Sequence, residues 1–153
     1  MGVGSLAPDF SLPDQTGRLV RLLNLRGSTV VLFFYAEDDT PLCTKQACGV
    51  RDVYADLTKQ GAVVLGISPD SITSHARFTA KYQLPYQLLA DPDRVAFAAY
   101  GTWGEKSMYG RTVTGVHRRT FVIGPDGVIR QLIQKVNTNT HAAKFLIWVS
   151  SPI

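Results

Sequence analysis

Thr29-Val30-Val31-Leu32-Phe33-Phe34-Tyr35-Ala36-Glu37-Asp38-Asp39-Thr40-Pro41-Leu42-Cys43-Thr44-Lys45-Gln46-Ala47-Cys48 is the stretch on which the fold reading turns. It opens as a largely apolar run ending at Tyr35, the pattern of a strand buried on both faces of a sheet. A short acidic loop follows. Thr40-Pro41 then reads as a helix start, because a threonine hydroxyl can cap free amides and proline at the first helical position loses no hydrogen bond. Cys43 therefore falls in the first helical turn. There the unpaired amides and the positive end of the helix dipole favour the thiolate, the reactive form of cysteine.

Cys48 lies five residues further on. In a regular helix the two alpha carbons sit ~8 to 9 Å apart, beyond the ~7 Å limit for a disulfide. Either the two cysteines never meet, or the first turns unwind when they do. The second course describes a redox cycle in which Cys43 becomes a sulfenic acid and Cys48 condenses with it. Gly49 and the polar loop before Cys43 permit such unwinding.

Outward from this stretch, strands and helices alternate as in a parallel α/β unit. Phe10-Ser11-Leu12 and Arg18 to Leu22 flank the turn residues Asp14-Gln15-Thr16-Gly17 and predict an N-terminal β-hairpin, with 23–28 a connector. The reactive helix is expected from Pro41 to about Gln60, with Val50, Val53, Tyr54 and Leu57 on its apolar face and Gly61 ending it. A strand at 62–68 precedes a helix at 71–82, capped by Asp70 or Ser71 and carrying Ile72, Ala76, Phe78 and Tyr82 inward. A short strand at 85–90 leads to a helix begun by Asp91-Pro92-Asp93, with Val95, Phe97, Ala98 and Tyr100 apolar. The glycine-rich stretch 101–115 reads as an ordered loop. Residues 118–123 and 128–133 flank Gly124-Pro125-Asp126-Gly127, a strong hairpin signal. A last helix is expected at 139–149.

The chain of 153 residues is long enough for one domain spanning 1–153, without an internal linker, repeat or low-complexity segment. With 45% hydrophobic and 18% charged residues, its composition is that of an ordinary soluble protein. The net charge of +4 comes from dispersed Lys and Arg with no basic, aromatic-interleaved run, which argues against nucleic acid. Met1 to Leu6 carries no basic segment or apolar core, so no secretory signal is expected, and Leu6 breaks the myristoylation pattern. No apolar run approaches the ~18 residues of a membrane span. Two cysteines in a chain expected to be cytoplasmic favour redox chemistry over a structural disulfide. His75, His117 and His141 form no ligand pattern with the cysteines, so no metal site is expected and each reads as a surface or strand residue.

The run from Phe34 to Cys48 resembles the active-site segment of the peroxiredoxins, and the Cys-x-x-x-x-Cys spacing is similar to the peroxiredoxin Q group, also called bacterioferritin comigratory protein. Further matches keep the family's order: Ala7-Pro8-Asp9-Phe10, Gly66 to Ser71, Trp103 to Gly110, and Gly115 to Ile123 with its Arg-x-Thr-Phe. The resemblance implies a thioredoxin-like fold, a central mixed sheet flanked by helices with an N-terminal hairpin. It implies a peroxidase in which Cys43 attacks hydrogen peroxide or an alkyl hydroperoxide, Cys48 resolves the sulfenic acid, and thioredoxin or a similar dithiol recycles the pair without a bound cofactor. By the same resemblance Thr40 bonds the reactive sulfur and the peroxide. Arg118, rather than its neighbour Arg119, stands beside Cys43, and the protein is a monomer.

Two positions depart from the family's Pro-x-x-x-Thr-x-x-Cys. Ala36 replaces the proline that shields the sulfur, and Leu42 replaces a residue that is often glycine. Activity is expected to survive, with a looser pocket and a Cys43 more prone to overoxidation. Two other functions fit the same residues: a thiol-disulfide oxidoreductase, which would normally carry Cys-x-x-Cys, and a non-enzymatic redox sensor built on the Cys43–Cys48 switch.

Overall fold

The computed structural model describes residues 2–108 and 110–133. The helix expected at 139–149 lies outside the described residues. Strand β3 (Thr29–Phe34) is the middle of a five-stranded mixed sheet, ordered β5 (Gln87–Ala90), β4 (Ala62–Ser68), β3, β8 (Thr120–Ile123), β9 (Ile129–Ile133). β3, β4 and β5 run parallel, joined through helices α1 (Pro41–Lys59) and α2 (Ile72–Tyr82); β8 and β9 are antiparallel additions. Strands β1 (Ser11–Pro13) and β2 (Leu19–Arg21) form the expected N-terminal hairpin, and Leu22–Leu25, the last residue of the expected strand and the first three of the expected connector, winds into a turn of 3-10 helix.

Side-chain alternation along β3 divides the core between the two faces of the sheet. Val30, Leu32 and Phe34 point into a cluster with Leu65, Ile67, Leu89, Phe97, Tyr100 and Phe121. Val31, Phe33 and Tyr35 point the other way, against Cys43, Ala47, Val50 and Leu57 of α1 and Phe78 of α2. All six of these β3-run side chains are at most 2% exposed, which is why the run lacks the polar alternation of a surface strand. Gly66 of β4 lets the sheet close over Phe33: a β-carbon there would stand 2.8 Å from the Phe33 ring and 2.9 Å from Leu88.

Several expectations need correction. Residues 101–115 are largely a hairpin, β6 (Trp103–Met108) paired with β7 (Arg111–Val116), rather than a loop. The glycines that suggested a loop are accommodated in the ladder, where Gly104 faces Gly115, and at Gly110, whose φ of +73° suits a turn. α2 buries His75 and Phe78, while Ile72 and Ala76 face outward, so His75 is an interior residue and not a surface one. Of the two expected caps it is Ser71 that caps α2, its hydroxyl accepting from the Ser74 amide at 3.1 Å. α3 (Val95–Ala99) begins later than expected, because the Asp91 carboxylate reaches over the intervening turn to accept from the amides of Val95, Ala96 and Phe97. It buries Ala96 and Phe97 and leaves Val95 and Ala98 outside. Strands β8 and β9 start at Thr120 and Ile129, and β5 at Gln87, one or two residues inside the expected ranges.

Candidate active site

α1 starts at Pro41 as expected, and Cys43 occupies its first turn on the face packed against the sheet. The helix continues unbroken to Lys59, and both Cys43 and Cys48 are free thiols. Cys43 is 2% exposed and Cys48 half-buried. In this folded state the pair is unbridged, as the helical geometry requires.

Thr40 stands at the helix cap position, but its hydroxyl caps no helix amide. It lies 2.9 Å from the Glu37 carbonyl, to which it donates. The same hydroxyl lies near enough to the Cys43 sulfur to lower its pKa, and its single hydrogen can turn from the Glu37 carbonyl to the thiolate.

Arg118 arrives from a distant part of the chain. The antiparallel register of β3 and β8 pairs Phe33 with Thr120, and the Phe34 amide bonds the Arg119 carbonyl at 3.0 Å, which brings residue 118 to the end of β3 where the loop departs. Its guanidinium is 3.2 Å from Cys43 Sγ through Nη2 and donates through Nη1 to Gln46 Oε1. Arg119 turns the other way and donates to the Gly101 carbonyl at 2.9 Å. Gln46, 1% exposed and three residues after Cys43, was missed by the sequence reading. A polar residue one turn along the buried face of α1 was the available signal.

Burial pushes the Cys43 thiol up, but the Thr40 hydroxyl, a hydrogen bond from the Glu37 backbone and the charge and hydrogen bond of Arg118 outweigh it, leaving the thiol below its ordinary pKa. Cys48 moves oppositely: burial raises its pKa, Asp52 adds to the rise, and Arg51 opposes it. The two sulfurs are thus differentiated, one an acidic thiol beside a guanidinium, the other a proton-retaining thiol further along the same helix. Ala36, the position of the family's shielding proline, is exposed, yet Cys43 remains buried.

Asp38, Asp70 and His75 gather their ligand atoms within 4.8 Å of one another behind the loop. Protein groups engage both imidazole nitrogens, Nδ1 facing Asp38 Oδ2 at 2.7 Å and Nε2 facing the Leu89 carbonyl at 3.0 Å. Hydrogen-bond partners within the protein occupy both sides of the imidazole, so the cluster is built as a hydrogen-bonded network.

Residues 3–132 match the AhpC/TSA family. The chain is 43% identical over 146 residues to peroxiredoxin Bcp of Escherichia coli strain K12, covering 95% of this chain and 94% of the relative. Among solved structures it is similar to the bacterioferritin comigratory protein of Xanthomonas campestris, a protein with alkyl peroxide reduction activity, at a TM-score of 0.90 and 32% identity over 97% of each chain. Peroxidoxin BcpB of Mycobacterium tuberculosis superposes with a TM-score of 0.86 and 36% identity, over 97% of this chain and 96% of that one. Likeness at this level runs from the N-terminal hairpin through the strand that delivers Arg118, and the chain therefore belongs to the AhpC/TSA family, as a thiol peroxidase of the peroxiredoxin Q or bacterioferritin comigratory protein group.

Proposed function

We propose that Cys43 is the peroxidatic cysteine and Cys48 the resolving cysteine of an atypical two-cysteine peroxidase acting on hydrogen peroxide and alkyl hydroperoxides. The observation that carries this reading is the Arg118 guanidinium 3.2 Å from a buried thiol in the first turn of α1. The Cys43 thiolate attacks one peroxide oxygen and the O–O bond breaks. Sulfur is oxidised to the sulfenic acid, the attacked oxygen keeping its hydrogen. The other oxygen leaves as hydroxide or alkoxide and becomes water or alcohol by taking from solvent the equivalent of the proton that the Cys43 thiol released on ionising. Arg118 stabilises the thiolate and the charge developing on the departing oxygen, and the Thr40 hydroxyl donates into the same space.

The Cys48 thiol then displaces hydroxide from the sulfenic sulfur, which leaves as water once it takes the Cys48 proton, and an intramolecular disulfide forms. This step requires the first turns of α1 to unwind, because the folded helix holds the two residues too far apart. An external dithiol returns both sulfurs to thiols by exchange, and thioredoxin is the donor that the family resemblance supports. We place the protein in the cytoplasm as a monomer formed of one domain over 1–153, working on its own residues without a cofactor.

Peroxide consumption coupled to thioredoxin, thioredoxin reductase and NADPH tests the assignment. Cys43→Ser is expected to abolish turnover, and Cys48→Ser to halt recycling after one equivalent. A wild-type protein that oxidises stoichiometrically but does not turn over with any dithiol would instead be a redox sensor.

A further inference from the structure

The loop that shapes the Cys43 pocket is anchored from behind by a buried network. The Thr40 hydroxyl and the Glu37 backbone help hold the Cys43 thiol below its ordinary pKa. The two residues are joined by the Thr40 hydroxyl on the Glu37 carbonyl at 2.9 Å, and Asp38 lies between them in sequence. Its carboxylate, 4% exposed, turns away from the sulfur toward α2. There Oδ1 accepts from the Tyr35 hydroxyl at 2.6 Å, and Oδ2 contacts the Ser74 hydroxyl at 2.8 Å and His75 Nδ1 at 2.7 Å. The Asp38 amide donates to Asp70 Oδ2 at 2.8 Å, and Asp70 is in turn held by the Ser68 hydroxyl at 2.6 Å.

Proton placement in this network follows from chemistry. A carbonyl oxygen only accepts, so His75 Nε2 carries the hydrogen that bonds Leu89. Nδ1 and Asp38 Oδ2 both bear lone pairs, and their 2.7 Å contact requires a proton between them. Tyr35 keeps its own proton, since burial and then the Asp38 charge push its hydroxyl well above the ordinary tyrosine range. His75 is 0% exposed, so bulk solvent does not compete with either partner. Asp39 is tied to the same helix through Lys81 and Tyr82, both at 2.7 Å, but these contacts are exposed and hold more weakly.

We propose that His75 is a positioning residue for Cys43: bonded to Asp38 in the interior, it holds the 37–40 loop so that the Glu37 backbone and the Thr40 hydroxyl stay against the sulfur. The proposal deepens the peroxidase assignment and rests on Cys43 being the reactive thiol. His75 acts through Asp38, directly at 2.7 Å and through the Tyr35 hydroxyl, which lies 3.4 Å from Nδ1 and donates to the same carboxylate. The network leaves α1 after Thr40 free to unwind while the loop stays on α2.

The test is the pH midpoint and rate of Cys43 alkylation by iodoacetamide in a Cys48→Ser background, with single-turnover oxidation by hydrogen peroxide alongside. His75→Ala should raise the midpoint by about one pH unit, a tenfold loss of thiolate below it, and slow oxidation at least tenfold. His75→Asn, whose side-chain amide can donate to Asp38 from the Nδ1 position, should recover most of both. Ile129→Val, a destabilising change in β9, should move neither. A folded His75→Ala protein with an unchanged midpoint overturns the proposal, as does a His75→Asn protein no better than alanine. Should His75→Ala fail to fold, Tyr35→Phe removes another bond to the same carboxylate. A smaller upward shift then supports the proposal, and no shift overturns it. Alkylation needs neither peroxide nor reductant, so an unreactive wild type toward peroxide would sink the peroxidase assignment while leaving this measurement readable.

Discussion

Arg118 Nη2 and Cys43 Sγ lie 3.2 Å apart although 75 positions separate them in the chain, and the guanidinium is held in place by Gln46 from the same helix as the sulfur. Arg118→Ala removes a hydrogen-bond donor and the positive charge beside the sulfur together. Oxidation of Cys43 is expected to slow by about 10²- to 10³-fold. Arg118→Lys should recover only part of the loss, because an ammonium cannot bond Gln46 and the sulfur in the same planar fork. Stopped-flow peroxide reduction measures both.

The two thiols should titrate on opposite sides of the ordinary cysteine value. Iodoacetamide labelling followed against pH by mass spectrometry should show Cys43 reacting with the lower midpoint and Cys48 with the higher. The linkage has a definite sign. Because the folded state lowers the Cys43 pKa, its contribution to stability is present above the unfolded value, declines as pH falls toward the folded midpoint and is absent below it. Labelling midpoints in the reverse order would contradict the electrostatic account.

The Tyr86 hydroxyl donates to the Ala47 carbonyl at 2.6 Å, fastening α1 just before Cys48. Tyr86→Phe should lower stability by about 0.5 to 1.5 kcal/mol, the usual net worth of one hydrogen bond. It should also speed Cys43–Cys48 disulfide formation, since the segment that must unwind has lost a tether. Urea denaturation and the quenched disulfide time course report the two effects separately.

Gly66→Ala is expected to destabilise the fold by about 1 to 3 kcal/mol through overpacking against Phe33 and Leu88, buried side chains on neighbouring strands. An unchanged thermal midpoint would mean that the strands move apart at little cost.

Ala36→Pro restores the residue usual at this position in the family and should reduce inactivation of Cys43 at excess peroxide. Cys43 is already buried in the resting fold, so the difference is expected during turnover and not in resting exposure. Titration of activity against peroxide dose compares the two proteins, and superimposable inactivation curves would rule out a protective role for the proline.

Much of the site was legible because it is local. The apolar run to Tyr35 and Thr40-Pro41 at the start of α1 place a cysteine in a helical first turn without tertiary information. The hairpin β6–β7 was not legible, because its glycines carry the composition of a loop and only pairing to each other makes them strand residues. His75 was misread for a similar reason: the buried face of α2 is set by how that helix lies on the sheet and not by its modest apolar pattern.

By itself the sequence determined the β3-loop-α1 unit, the alternation of strands and helices, and the placing of a cysteine in the first turn of α1, because strand burial and helix starts are encoded over a few neighbouring residues. Only the tertiary structure decided that Gln46 fixes the Arg118 guanidinium beside the sulfur, and that Asp38 and His75, 37 positions apart, meet in the interior. Those contacts depend on the β3–β8 register and on the packing of α2, long-range arrangements that buried area and hydrogen-bond satisfaction select across the whole sheet.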